Sequence, residues 1–416
     1  METKQNIQKE VIEEDEDLYH RKKQLESIKK KIQNSSLIES NKKKILEFGY
    51  HCSANSITDG KTSRYLYDLY NLAEWLNKPF EDADKKDIER LMFCLENAKR
   101  KDASGKLTNK SYSEWTKRGY KIIVKKFYKW LRDEDDDSYP KEVRWIKTGM
   151  KECKKKLPKD MLTEDEVLSL IRCCRNERDK AMIAFLFDSG CRVGELLNMR
   201  IGDISNFSKG NGKKIYLRGK TGERRILIYF SAPYLERWLN NHSSGEKNAY
   251  VWVKENRQRL SYDRVRNLLR QSAKRAGLTK KVNPHNFRHS RCSIYSDRLK
   301  DRVLMAYFGW RRAETIAVYS HVSDEQIDGA ISEANEVPIE EKKEKTKLKE
   351  KTCVRCEKKY EATALYCTSC GSVLDDELAK EMKMNELQRE KADIIMDKIV
   401  NDPEIWDMMK KKYGVN

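Results

Sequence analysis

Apolar residues recur along most of this chain at the three- and four-residue spacing of a helix. That pattern yields to β-prone sequence in two short runs, Lys214 to Arg218 and Arg224 to Tyr229. The runs flank Gly219-Lys220-Thr221-Gly222, so they read as one hairpin with Lys220 at its tip. A chain patterned this way is expected to be mainly α with a small β-sheet.

Residues 1–45 are dominated by Glu, Asp, Lys and Gln and predict a charged helical or disordered arm. Residues 46–145 predict a helical domain. There Ile88, Leu91, Met92 and Leu95 form a stripe behind the cap Asp84, and Ile123, Phe127, Trp130 and Leu131 form another in a helix from the cap Thr108 to Leu131. The second helix also carries Lys117, Arg118, Lys121, Lys125, Lys126 and Lys129, either a phosphate-facing surface or plain solvated charge. An acidic cluster, Pro140 and a lysine run from Arg132 to Lys156 read as a linker.

A second domain is expected over residues 155–335. It opens on a capping box, Thr163 with Glu166, ahead of Val167, Leu168 and Leu170. Ser261 and Gly277 bracket a basic helix, and Pro284 opens the helix bearing His285, Arg288 and His289. A charged linker (336–351), a cysteine module (352–374) and an amphipathic helical tail (375–416) complete the chain.

The 416 residues carry 86 Lys+Arg against 67 Asp+Glu, a formal charge of +19. That excess favours a polyanionic partner, nucleic acid first, although basic solvated surface is the plain alternative. No apolar run approaches the roughly 20 residues that span a bilayer, and METKQNIQKE lacks the apolar core of a signal peptide. A cytoplasmic, nucleoid-associated protein with no membrane partner is the expectation. Of eleven cysteines, seven show no framework spacing. Cys353, Cys356, Cys367 and Cys370 form two Cys-x-x-Cys pairs ten residues apart, the pattern of a structural Zn2+ ribbon; paired disulfides are the alternative. Four protein ligands leave no open position, so this ion would stabilise rather than catalyse.

Cutting a phosphodiester without a metal requires a nucleophile, charge neutralisation and a proton donor. Arg192, Lys220, His285, Arg288, Trp310 and Tyr319 supply such types. Ser189-Gly190-Cys191-Arg192-Val193-Gly194-Glu195-Leu196-Leu197, Pro284-His285-Asn286-Phe287-Arg288-His289, Phe308-Gly309-Trp310 and Val318-Tyr319-Ser320-His321 resemble, in order and spacing, the boxes of the tyrosine recombinase, or phage integrase, family. The resemblance covers roughly residues 46 to 335. It implies a helical core-binding (SAM-like) domain and a mixed α/β catalytic domain that clamp double-stranded DNA recombination sites and assemble as a tetramer in the synapse.

The same resemblance implies that Tyr319 attacks phosphorus to leave a 3′-phosphotyrosine, and that His285 assists its deprotonation. Arg192 and Arg288 would hold the non-bridging oxygens, and Lys220 would protonate the departing 5′-oxygen. No catalytic cofactor would be required. Glu195 would orient the site, with His289 beside it. Trp310 stands where the commoner pattern has histidine; an indole donates one N–H and cannot act as a general acid, so it contacts phosphate or packs beneath Tyr319. A type IB-like topoisomerase and a non-cleaving DNA-binding or architectural protein remain alternatives.

Overall fold

Side-chain caps set where many of the helices begin. The computed structural model describes residues 18–101, 106–133, 138–149, 161–219, 222–296, 298–318 and 346–413, in two units, 1–156 and 157–416. In the first unit, α1 (Arg21–Gln33), α2 (Glu39–Ala54), α3 (Asp59–Leu76) and α4 (Lys85–Asn97) precede a hairpin of β1 (Lys99–Lys101) and β2 (Leu107–Ser111), and α5 (Glu114–Leu131) follows. Asp84 caps α4 in a reciprocal box with Asp87, and Ile88, Leu91, Met92 and Leu95 are buried as expected.

Two expectations are corrected here. Of the expected arm over 1–45, residues 1–17 lie outside the described residues, and the rest is largely helical but not separate: Leu25, Ile28 and Ile32 of α1, spaced three and four apart, enter one core with Ile45, Phe48, Leu66, Phe80 and Phe127. Thr108 does not cap a helix. It lies in β2 with its hydroxyl donating to Arg100 O at 2.9 Å, while Ser113 accepts from Thr116 N and starts α5. Much of the basic face of α5 is also engaged within this unit. Lys117 and Lys121 both reach Glu96 at 2.7 Å, Arg118 Nε donates to Thr148 O, and Lys125 lies 4.1 Å from the Tyr139 ring centroid.

In the second unit, the Thr163–Glu166 box caps α6 (Glu164–Arg172), and Asn176 caps α7 (Glu177–Ser189), whose residues 181–189 are all buried. After the short α8 (Val193–Leu197) come β3 (Ile204–Asn206), β4 (Lys213–Gly219) and β5 (Gly222–Ile228), an antiparallel sheet in that order. The expected hairpin is present, and β3 adds an edge strand the sequence did not reveal. Ile215 and Leu217 of β4 and Ile226 and Ile228 of β5 face the core. The helices α9 (Ala232–Asn240), α10 (Tyr262–Arg275, capped by Ser261), α11 (Pro284–Ser296) and α12 (Asp301–Phe308) follow.

A buried carboxylate ties these parts together. Asp188 of α7 accepts from Tyr229 N, Ser231 N, Ser231 Oγ and Arg291 Nη2, so the end of the sheet and α11 share one anchor.

The cysteine module pairs β6 (Lys351–Thr352) with β7 (Lys359–Tyr360) across its first knuckle, and a bridge between Tyr366 and Val373 spans the second. The module rests on α9: Arg237 forks onto Glu361 at 2.8 and 2.6 Å, and the Tyr234 hydroxyl lies 2.9 Å from Thr363 Oγ1. The expected tail is two helices, α13 (Asp376–Asn401) and α14 (Pro403–Tyr413), with Met382, Met384, Leu387, Ile394, Ile395 and Met396 exposed. No helix among the described residues is long and apolar enough to cross a membrane.

Asp68 in α3 is 2% exposed; its Oδ2 accepts from Arg64 Nε at 2.8 Å, and its Oδ1 has no hydrogen-bond partner among the described residues. Burial, partly offset by Arg64, pushes its carboxyl up to about 6. The folded state therefore binds this proton more tightly than the unfolded state. Its contribution favours folding at low pH and turns against folding as pH rises from about 4 to about 6. Asp68→Asn is expected to stabilise the protein by about 1–3 kcal/mol at pH 7.5 and by much less at pH 4.5, read from urea unfolding of both proteins at each pH.

Candidate active site

Gly190 ends α7 with φ 54°, and the chain then turns directly into α8 with Arg192 at its N-cap. A side chain at 190 is excluded twice over: the conformation is left-handed, and a Cβ would lie 2.7 Å from Phe308 Cε1. Glu195, on the first turn of α8, accepts from Arg192 N at 2.7 Å and from Arg192 Nη1 at 3.0 Å. Arg192 Nη2 also reaches Gly309 O at 3.4 Å.

Arg288 enters from α11, one turn after His285. Its Nη1 donates to Gly190 O at 2.9 Å and its Nη2 to Phe308 O at 2.7 Å, so it joins the end of α7 to the end of α12. The guanidinium faces the Phe308 and Trp310 rings at 5.2 and 5.9 Å from their centroids. Burial holds it below the ordinary arginine range, and the positive Arg192 and Arg224 push the same way. Gly309, at φ 63°, stops α12, after which Trp310 stacks on Phe308 with centroids 5.2 Å apart. Trp310 packs on the cluster of Cys292, Leu304, Phe308 and Ile316. His285 is exposed on the first turn of α11, with its ring centroid 4.1 Å from that of the half-buried His289.

The structure thus brings together Arg192, Glu195, Arg288 and Trp310, with His285 and His289 on the helix that carries Arg288. Lys220 and Tyr319 lie outside the described residues. The described chain reaches Gly219 on one side and Val318, the last residue of a 3-10 turn (Ala313–Val318), on the other. Gly219 approaches so closely that a Cβ there would lie 2.7 Å from Glu195 Cγ. Burial pushes the thiols of Cys191 and Cys292 up to about 12, which keeps both protonated and unreactive at neutral pH.

One residue of this cluster was read from sequence only as a flank of the hairpin. Arg224 donates through Nη1 and Nη2 to the two oxygens of Glu195 and through Nε to Tyr307 O at 2.7 Å. Its signal was the alternation of β5: Ile226 and Ile228 face inward, so the residue two places earlier shares their face.

The sulfurs of Cys353, Cys356, Cys367 and Cys370 all lie within 4.8 Å of one another, and none forms a disulfide. Sulfurs around a tetrahedral zinc stand about 3.8 Å apart, given Zn–S bonds of about 2.3 Å. Pairs here stand at 3.5 Å (Cys353 with Cys370) and 3.4 Å (Cys356 with Cys367), so the donor set and its size fit a closed thiolate site. Tyr360 Oη lies 3.1 Å from Cys367 Sγ and Cys370 N donates to that sulfur at 3.4 Å, contacts suited to a thiolate.

Gly190→Ala is expected to destabilise the protein by about 1–3 kcal/mol, through left-handed strain and the clash with Phe308. The denaturation midpoint measures it.

Residues 160–326 match the phage integrase family. The chain is 29% identical over 239 residues to tyrosine recombinase XerA of Pyrococcus horikoshii, covering 56% of this chain and 80% of that protein. It is 26% identical over 279 residues to a tyrosine recombinase of Thermosipho africanus, covering 64% and 90%. Its fold is similar to that of XerH site-specific recombinase bound to a palindromic difH substrate in a post-cleavage complex, with TM-score 0.52, 16% identity, and coverage of 77% of this chain and 97% of that one. With the boxes that carry Arg192, Arg288 and Trp310 gathered at one site, residues 160–326 make up a phage integrase family domain, and the chain is similar to tyrosine recombinases.

Proposed function

We propose that this protein is a site-specific DNA recombinase that cuts and rejoins double-stranded DNA through a 3′-phosphotyrosine at Tyr319. The observation that carries this reading is the convergence of Arg192 and Arg288 on the adjacent carbonyls of Gly309 and Phe308, ten and eleven residues before Tyr319 in sequence. Two guanidiniums oriented side by side by backbone acceptors suit the two non-bridging oxygens of a phosphodiester, where charge accumulates in the five-coordinate transition state.

In this reading the Tyr319 phenolic oxygen bonds to phosphorus as the bond from phosphorus to the 5′-oxygen breaks. The phenol proton leaves with help from His285, and Lys220 delivers a proton to the departing 5′-oxygen. The freed 5′-hydroxyl attacks in the reverse direction to reseal the strand, so the phosphotyrosine conserves the bond energy and neither ATP nor a catalytic metal is required. Trp310 supports the site through one N–H donor and its packing against Phe308. Recombination of paired sites implies a homo-oligomer, a tetramer in the synapse. The four cysteines would hold a structural Zn2+ that closes the two knuckles.

The test is covalent capture. A pool of nicked duplexes with randomised sequence is incubated with the protein, and adducts are separated by denaturing electrophoresis and sequenced. The natural protein forms an adduct and Tyr319→Phe forms none; an adduct undiminished in Tyr319→Phe, or none with the natural protein, defeats the assignment. Strand exchange between two copies of a captured site separates a recombinase from a topoisomerase. On the captured substrate, Arg288→Lys slows adduct formation by about a hundred- to a thousandfold, because an ammonium cannot reproduce the paired donors.

For the cysteine module, one zinc per chain is expected in the purified protein by mass spectrometry under native conditions. Cys353→Ser and Cys367→Ser lose the ion, and residues 351–375 then lose protection from hydrogen exchange; equal protection with and without the ion would count against a structural role.

A further inference from the structure

Glu195 is held by more positive charge than its role in orienting Arg192 requires. Its side chain is 1% exposed, and both of its oxygens are shared: Oε1 accepts from Arg192 Nη1 and Arg224 Nη1, and Oε2 from Arg192 N and Arg224 Nη2. The two arginines differ in what else they face. Arg192 is 34% exposed along its side chain, whereas Arg224 is 8% exposed and turns its three nitrogens to Glu195 and Tyr307 O. Arg224 is therefore placed to act on Glu195, while Arg192 keeps a solvent-facing side.

We propose that Arg224 is a positioning residue that takes up the charge of Glu195, so that Arg192 keeps its own for the scissile phosphate. This rests on the recombinase reading above. A buried carboxylate paired with Arg192 alone would cancel that guanidinium, and a neutral ion pair offers little to a phosphate. With Arg224 present, two guanidiniums share one carboxylate, and Arg288 adds its charge beside them. Among these four side chains, three cations and one anion leave a net positive charge for the transition state, which becomes doubly negative when a phenolate attacks a phosphodiester.

The hairpin gains a second consequence. Arg224 begins the inward face of β5 and Gly219 ends the inward face of β4, both against Glu195. The strand pair that leads to Lys220 is thus registered on the same carboxylate that orients Arg192.

The experiment is a double-mutant comparison on a duplex captured by the natural protein as described above. Single-turnover adduct formation is measured for the natural protein, Arg224→Gln, Glu195→Gln and the Glu195→Gln/Arg224→Gln double variant, with duplex affinity and melting temperature recorded for each. With Glu195 present, Arg224→Gln lowers the rate on the order of a hundredfold, the scale of one lost preorganised charge, while duplex affinity stays within about threefold. In the Glu195→Gln background the same change costs less than about threefold, because no carboxylate remains to cancel Arg192.

Equal losses in the two backgrounds, or no loss with Glu195 present, would overturn the proposal. If Arg224→Gln does not fold with Glu195 unpaired, the comparison of Glu195→Gln with the double variant decides: a loss of about tenfold or more there means that Arg224 acts on something other than Glu195, and a loss below about threefold upholds the proposal. Failure of the recombinase reading itself shows separately, as absence of a Tyr319-dependent adduct from the natural protein.

Discussion

A single buried carboxylate holds this site together. Glu195 ties α8 to β5 through Arg224, and Arg224 in turn reaches the last turn of α12 through Tyr307 O. Charges this dry are costly to assemble and more costly to leave unpaired, by about 3–5 kcal/mol when one partner is lost. What they contribute is geometric. Three segments distant in sequence are brought to one point with the directionality of charged hydrogen bonds, which apolar packing would not specify. Gly219 shows how little slack remains, since even a methyl group there meets Glu195.

Around this centre, backbone carbonyls rather than acidic side chains hold the second arginine. Arg288 directs two of its donors to Gly190 O and Phe308 O, both at helix ends where carbonyls lack intrahelical partners. Such acceptors orient a guanidinium without neutralising it. A second buried acid, Asp188, anchors Arg291, one turn further along α11, and the backbone that leaves β5. The helix that presents Arg288 is therefore fixed from two sides, one neutral and one ionic.

Much of this was legible in the chain because local chemistry and final structure agree. Asp84, Thr163, Ser261 and Pro284 act at helix starts as their sequence context indicates, and the Gly219–Gly222 hairpin forms where glycines interrupt β-prone runs. What escaped depended on partners far along the chain. Thr108 looked like a cap until pairing with Lys99–Lys101 made its segment a strand, and the charged α1 joined a core because three well-spaced apolar residues sufficed. The lysines of α5 read as a phosphate-facing surface or plain solvated charge, yet Glu96, on the neighbouring α4, engages two of them. Arg224 was visible only to a strict reading of strand alternation, in which an arginine at an inward position signals a buried acid waiting opposite.

The seating of the cysteine module on α9 has a thermodynamic consequence. Tyr234 and Arg237, which hold Thr363 and Glu361, belong to a helix that packs on α7, and α7 delivers the chain to Gly190 and Arg192. A ligand that binds only the folded form of one part stabilises every part that unfolds with it, by RT ln(1 + [L]/Kd). Any ion accepted by the four thiolates therefore acts at a distance without altering a bond in the site. The availability of such an ion would then be an intensive variable, alongside temperature and pH, for the population of the assembled site.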